Sequence, residues 1–268
     1  MPAQEFEAFL KETKPSFHPV VPFGPEDKLL PLDFTANNTS LTPEILANTV
    51  RFSEYVEQQL KEAGALYGIG GYNEHRTIYQ RSVVFDVSYS SAPDMNKDHL
   101  KDDALEVDQR SGAQEQVDFN ALEAQEAEPR RLHLGVDIWG AVDTPVYAPL
   151  VGTIHSIGYN DAFGDYGATL ILQHEINGFL FHTLYGHLSL KSITGKQEGQ
   201  DIEKGSWIAS FGDLAENGNW PPHLHFQVIL DMQGWKGDYP GVCKFSEREQ
   251  YLSNCPDPDL LLKMIQHK

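Results

Sequence analysis

The sequence predicts a mainly β protein: a two-sheet β-sandwich or barrel-sandwich core with an α-helical N-terminal extension and a short C-terminal helix. Three observations carry this. Between Arg130 and Met232 the segments VYAPLVGTIHSIGY, YGATLILQHE, FLFHTLYGHLS and HLHFQVILDM are rich in β-branched and aromatic residues, which suit a pleated, half-buried surface. Glycine-containing turns separate them, and no helical period of useful length runs through the region. Of the 268 residues 40% are hydrophobic and 11% aromatic, enough to bury a sizeable core.

Composition divides the chain into four stretches. Residues 1–93 form an extension in which Pro15, Pro19, Pro22, Pro25 and Pro31 prevent any long regular element beyond a short first helix. Thr42-Pro43 then opens a helix, with Thr42 as cap and Pro43 in the first turn. Ile45, Phe52, Val56 and Leu60 recur at helical spacing, and Gly64 sits where a helix commonly stops. The following LYGIGGYNEHRTIYQRSVVFDVSY leads from a glycine-rich turn into strand-like alternation. Residues 94–129 change character, with eleven acidic side chains against three basic ones and Phe119 as the sole aromatic. So little apolar surface cannot offset ordering entropy, and a mobile surface insertion is expected. The β core spans 130–232. Residues 233–268 make a turn-rich tail packing on the core, whose CPDPDLLLKMIQ closes in a short helix after Pro258.

The formal charge of −19 argues against a nucleic-acid or anionic-membrane partner, since either needs a basic footprint. No apolar run approaches the length needed to cross a bilayer, so membrane insertion is not expected. The start MPAQEFEAFLKETKPSF lacks the basic and apolar segments of a secretory signal, which points to a cytoplasmic protein. Cys243 and Cys255 make no disulfide framework; two free thiols or one bridge both fit their spacing. The oligomeric state is left open.

Three patterns in the β region carry chemistry. They are His133-Leu134-Gly135-Val136-Asp137, Tyr185-Gly186-His187 and His223-Leu224-His225. Zinc takes imidazole nitrogen and carboxylate oxygen, and a catalytic site uses three protein ligands. In a strand His223 and His225 point to one face and can line one cavity. His133 and Asp137 are also in phase, but an extended chain separates them by roughly 13 Å. One ion can hold both only if the backbone bends between them, and Gly135 is the residue to allow it. His174-Glu175 begins like an H-E-x-x-H helix, but Gly178 stands at the fifth position, so His174, like His155 and His182, reads as a structural strand histidine.

HLGVD, YGHLS and PHLHFQ, in that order, resemble the lysostaphin-type (LytM-like) zinc endopeptidases, which share an H-x-x-x-D motif, a lone histidine before Leu-Ser and an H-x-H strand. The resemblance covers roughly Arg131 to Val228. FHPVVPF, GGYNEHRTIYQRS and CPDP are similar to a subgroup whose peptidase-like module also occurs joined to aminotransferase-like enzymes. The resemblance implies one zinc ion per chain, held by His133, Asp137 and His225, with His187 and His223 acting on the water or the reacting carbonyl. Tyr72 or Arg76 is expected to border the cleft and steady the oxyanion or substrate, as a tyrosine does in some members. The implied reaction is hydrolysis of a peptide amide in a peptidoglycan-type or muropeptide substrate. Two rivals stand beside it: a non-catalytic zinc-containing binding or regulatory module of the same fold, and a histidine phosphocarrier of related β architecture.

Overall fold

The structure, a computed structural model, describes residues 2–86 and 128–265. Positions 94–127 of the expected acidic insertion lie outside the described residues. Helix α1 (Ala3–Thr13) precedes the proline-rich stretch and the edge strand β1 (Leu29–Leu32). Pro31 is tolerated there because β1 has a sheet neighbour on one side only. The single helix expected from Thr42 is divided into α2 (Pro43–Leu46) and α3 (Thr49–Ala63). Thr42 caps the first, and the Asn48 side chain accepts the Arg51 N–H and restarts the second. A capping residue inside the apolar period explains the break. Gly64 ends α3 in the left-handed conformation, as its position suggested.

Strands β2 (Tyr67–Gly70) and β3 (Glu74–His75) follow. The expected strand-like alternation then gives way to two 3₁₀ turns, Ile78–Arg81 and Val83–Phe85. The Ser82 hydroxyl accepts the Val84 N–H between them and caps the second turn. Ile78, Tyr79 and Phe85 are thereby buried.

The second part of the chain supplies β4 (Leu132–His133), β5 (Val136–Trp139), β6 (Pro145–Tyr147), β7 (Gly152–Asn160), β8 (Gly167–Ile176) and β9 (Phe179–Leu188). After a short helix α4 (Leu190–Ile193) come β10 (Asp201–Ile202), β11 (Trp207–Ser210), β12 (His223–Ile229) and β13 (Val242–Cys243). Helices α5 (Arg248–Asn254) and α6 (Asp259–Leu262) close the chain, the latter directly after Pro258 as the sequence suggests. The protein is mainly β. Among the described residues the strands form an eight-stranded mixed sheet, β1-β2-β5-β12-β9-β8-β7-β10, a three-stranded sheet, β13-β4-β3, and the pair β11-β6. Among the described strands only β1 and β2 run parallel. Asn177 and Gly178, both with positive φ, make the two-residue loop that joins β8 to β9.

Strand alternation sorts the side chains. Val136 and Ile138 of β5 and Leu224, Phe226 and Val228 of β12 enter one apolar cluster. Asp137, Trp139, His223 and His225 therefore take the opposite face. Trp139 there joins Phe34, Phe52, Tyr79, Phe85 and Trp220 in a second cluster. Cys243 and Cys255 are buried free thiols. No described helix is long and apolar enough to cross a membrane.

Candidate metal centre

Antiparallel register places His225 opposite Asp137 and His223 opposite Trp139 on β5 and β12. His133 arrives from the three-stranded sheet, because the chain changes sheet between β4 and β5. The bend expected near Gly135 is present, but the glycine serves a different purpose. Its φ is not left-handed; a Cβ at this position would stand 2.5 Å from His225 Cε1. Gly135 is required for close approach of the ring, not for an unusual backbone conformation.

Three candidate ligand atoms converge. His133 Nε2 lies 3.0 Å from His225 Nδ1 and 3.2 Å from Asp137 Oδ1, and His225 Nδ1 lies 3.1 Å from the same oxygen. All three residues are buried and form a group that could hold a metal ion. The outer atoms of the two imidazoles are engaged elsewhere. His133 Nδ1 donates to the Gly71 carbonyl at 2.9 Å, and His225 Nε2 donates to Gln227 Oε1 at 2.9 Å. Those bonds leave lone pairs on the facing nitrogens. Burial first, then the Arg76 charge, pushes His133 down to about 4. Burial would raise the Asp137 carboxyl, but His133 and Arg76 hold it well below the usual carboxylate range. A carboxylate and two imidazole lone pairs at van der Waals range repel one another unless a cation lies among them. A tetrahedral zinc with bonds of 2.0–2.2 Å separates its ligand atoms by roughly 3.3–3.6 Å, so the donor set fits with a slight opening.

His187 and His223 stand beside this triangle, with ring centroids 4.1 Å apart. Each has its Nδ1–H fixed by a carbonyl at 2.8 Å, that of Asn217 for His187 and of Pro221 for His223. His223 also stacks on Trp139, with centroids at 3.8 Å. Burial pushes His223 down to about 4, and burial followed by the neighbouring His223 holds His187 well below its ordinary value. Both imidazoles are therefore neutral near pH 7, with Nε2 available as a base. His187 has φ of 62° and sits in a β-bulge, where Gly186 and His187 together oppose Thr169. Strain of this kind concentrates at functional sites because it re-aims a side chain. Asp137, His187, His223 and His225 border a cavity of about 40 Å³ with Tyr79 and Trp220. It has room for a few water molecules.

The two further residues singled out in the sequence are placed elsewhere. Tyr72 does not join the cluster: its hydroxyl donates to the Cys255 carbonyl at 2.5 Å, and its ring packs on the main core. Arg76 is fully buried behind Asp137, its Nη1 donating to Asp137 Oδ2 at 2.5 Å, and is not on the cavity wall. Sequence reasoning missed Tyr79, Gln227 and the Gly71 carbonyl. Gln227 was detectable, since it continues the period-two face of His223 and His225. Tyr79 and Gly71 carry no local signal, because only tertiary folding brings them to His133.

Fold and site together define a β-sheet protein with a buried His–Asp–His constellation that could hold a metal ion and two accompanying neutral histidines. The family model for Peptidase family M23 matches residues 131–236, which include all five of these side chains. An uncharacterized metalloprotease of Haemophilus influenzae is 31% identical over 140 residues, covering 50% of this chain and 27% of that protein. The L-Ala–D-Glu endopeptidase of Bacillus subtilis is 30% identical over 130 residues, covering 46% of this chain and 37% of its own. The chain thus spans well under half the length of these curated relatives. Among solved structures, a zinc-containing peptidase from Vibrio cholerae is 28% identical, with a TM-score of 0.28, covering 37% of this chain and 27% of that one. The catalytic domain of lysostaphin from Staphylococcus simulans is 24% identical, with a TM-score of 0.32, covering 45% of this chain and 80% of that one.

Proposed function

We propose that this chain is a zinc-dependent metallopeptidase that hydrolyses peptide amide bonds, and that its substrates are peptidoglycan-type peptides or muropeptides. The observation that carries the reading is the set of three facing lone-pair atoms at 3.0–3.2 Å with their outer atoms tied down. The match of residues 131–236 to a peptidase family and the L-Ala–D-Glu endopeptidase relative support the reaction and the substrate class.

His133, Asp137 and His225 would hold one zinc ion, which when bound polarises a carbonyl and lowers the pKa of water to about 7. The chain's own residues then handle protons and position. The Asn217 and Pro221 carbonyls keep His187 and His223 in the tautomer that presents Nε2. One of these nitrogens takes a proton from water in the cavity and then returns it to the departing amine, while the other, its Nδ1–H engaged, accepts a hydrogen bond from that water and orients it. Tyr79, a cavity-lining residue whose phenol pKa is raised chiefly by burial, keeps its proton.

The test is a panel of muropeptides and glycine-rich peptides incubated with the full chain, with and without chelator. Chelator-sensitive cleavage that disappears in His187→Ala while zinc remains bound is the expected result. Stoichiometric zinc with no cleavage of any peptide favours the non-catalytic module instead. A metal-free chain phosphorylated on His223 overturns the reading.

A further inference from the structure

Arg76 contributes no atom to the cavity, yet its guanidinium is 0% exposed and each of its nitrogens has a defined partner. Nη1 donates to Asp137 Oδ2, Nε donates to Glu74 at 2.9 Å, and Nη2 donates to the Gly71 carbonyl at 2.8 Å. That carbonyl is the same one that accepts the His133 Nδ1–H. One planar fork therefore touches a candidate ligand directly and shares an acceptor with a second.

The chemistry of this placement is unusual, because a fixed cation beside a cation site opposes metal binding. Its benefit is geometric. With Oδ2 engaged by Arg76, Asp137 offers only Oδ1 to the two imidazoles, so it is restricted to a single-oxygen ligand. A planar guanidinium can hold Asp137, Glu74 and the Gly71 carbonyl through three different nitrogens at once, whereas an ammonium acts as a point charge. Glu74 offsets the added charge. The neighbouring residue is matched to the guanidinium, since a Cβ on Gly70 would stand 2.7 Å from Arg76 Nη2.

We infer that Arg76 is a positioning residue that fixes the Asp137 carboxylate and the Gly71 carbonyl, so that the segment at residues 70–76, which crosses from one sheet to the other, completes the metal centre from outside residues 131–236. The inference rests on the metal reading above. It predicts that a chain with the five site residues intact still binds metal poorly when this fork is displaced.

The experiment uses the full chain stripped of metal and titrated with cobalt(II), then with zinc in competition with a chromophoric chelator. Arg76→Met is expected to weaken zinc binding by roughly 10–100-fold, the usual cost of losing an outer partner of a metal ligand. It is also expected to change the visible cobalt spectrum while the circular dichroism stays that of the parent. Arg76→Lys recovers part of the affinity but not the parent spectrum, since one ammonium cannot span Asp137, Glu74 and Gly71. Because Arg76→Met leaves a buried carboxylate unpaired and can fail to fold, Gly70→Ala provides a second arm. It displaces the guanidinium without removing a charge and shifts affinity and spectrum in the same direction. Parent-like affinity and cobalt spectrum in a folded Arg76→Met or Gly70→Ala overturn the inference and leave the metal reading intact. A parent chain that binds neither cobalt nor zinc overturns both.

Discussion

One added methyl group at Gly135 tests the geometry of the centre without touching a polar atom. In Gly135→Ala the new Cβ would lie 2.5 Å from Cε1 and 2.6 Å from Nε2 of His225, and 2.9 Å from the Phe226 carbonyl oxygen. Ordinary contact begins at 3.4 Å, so the ring must withdraw by about 0.9 Å. It has little freedom to do so, because Nε2 is bonded to Gln227 and Nδ1 faces Asp137. Metal–ligand distances tolerate only about 0.2 Å, so the required displacement is several times what coordination allows. Overpacking of this kind costs about 1–3 kcal/mol, or a fall in Tm of several degrees for a chain of this size. The assay pairs a thermal melt of the metal-free chain with chelator competition for zinc. The expected outcome is a modestly destabilised fold with zinc affinity reduced roughly 10-fold or more. A folded Gly135→Ala that binds zinc like the parent refutes the assignment of His225 as a ligand.

Three other outcomes follow from the same structure. At His187, φ of 62° penalises any side chain, so His187→Gly is more stable than His187→Ala by about 1 kcal/mol in urea unfolding; equal stabilities would mean the bulge relaxes. Burial pushes His174 and His182 down to about 4. Between that value and their unfolded value near 6.5 the unfolded chain binds more protons, so stability falls on acidification, by about 2 kcal/mol per histidine at pH 5. Replacing His174 by Gln removes close to one proton from the slope of unfolding free energy against pH, and an unchanged slope contradicts the assignment. Asp238 has the opposite sign: burial, then Asp165, pushes its carboxyl up to about 7, and its Oδ1 has no partner among the described residues. Its destabilising effect grows as pH rises from 3.8 toward 7, so Asp238→Asn stabilises the chain by about 4 kcal/mol at pH 8 and has little effect at pH 4. A gain that does not depend on pH counts against this cause.

Much of the centre was legible in the sequence because strand periodicity is local. The H-x-H face of β12 and the alternation of β5 follow from residue spacing alone, and a bend between His133 and Asp137 follows from their separation, but the change of sheet that produces it does not. Partners that cross from one strand to another were not legible. Arg76 reaches Asp137, and Gly71 reaches His133, across more than sixty residues of chain, and nothing in GGYNEHR states which way those groups turn. Tyr72 illustrates the same limit, because a tyrosine next to two glycines can face either side, and here it is held by Cys255. The break between α2 and α3 was concealed for a different reason. Ile45 and Phe52 keep the apolar period across it, while Asn48 ends one hydrogen-bonding run and starts the next.

Strand β2 has a consequence for anyone who would shorten the protein. It pairs along Val136–Trp139's neighbour positions, Gly68 with Trp139 and Gly70 with Asp137, so the strand that carries the carboxylate is interior to the sheet. A fragment trimmed to residues 131–236 would bare that strand's amides and carbonyls to any passing chain, and exposed edges of this type recruit intermolecular pairing. The first seventy residues thus act as a guard rail: they cover the sheet where the acid-bearing strand would otherwise invite aggregation.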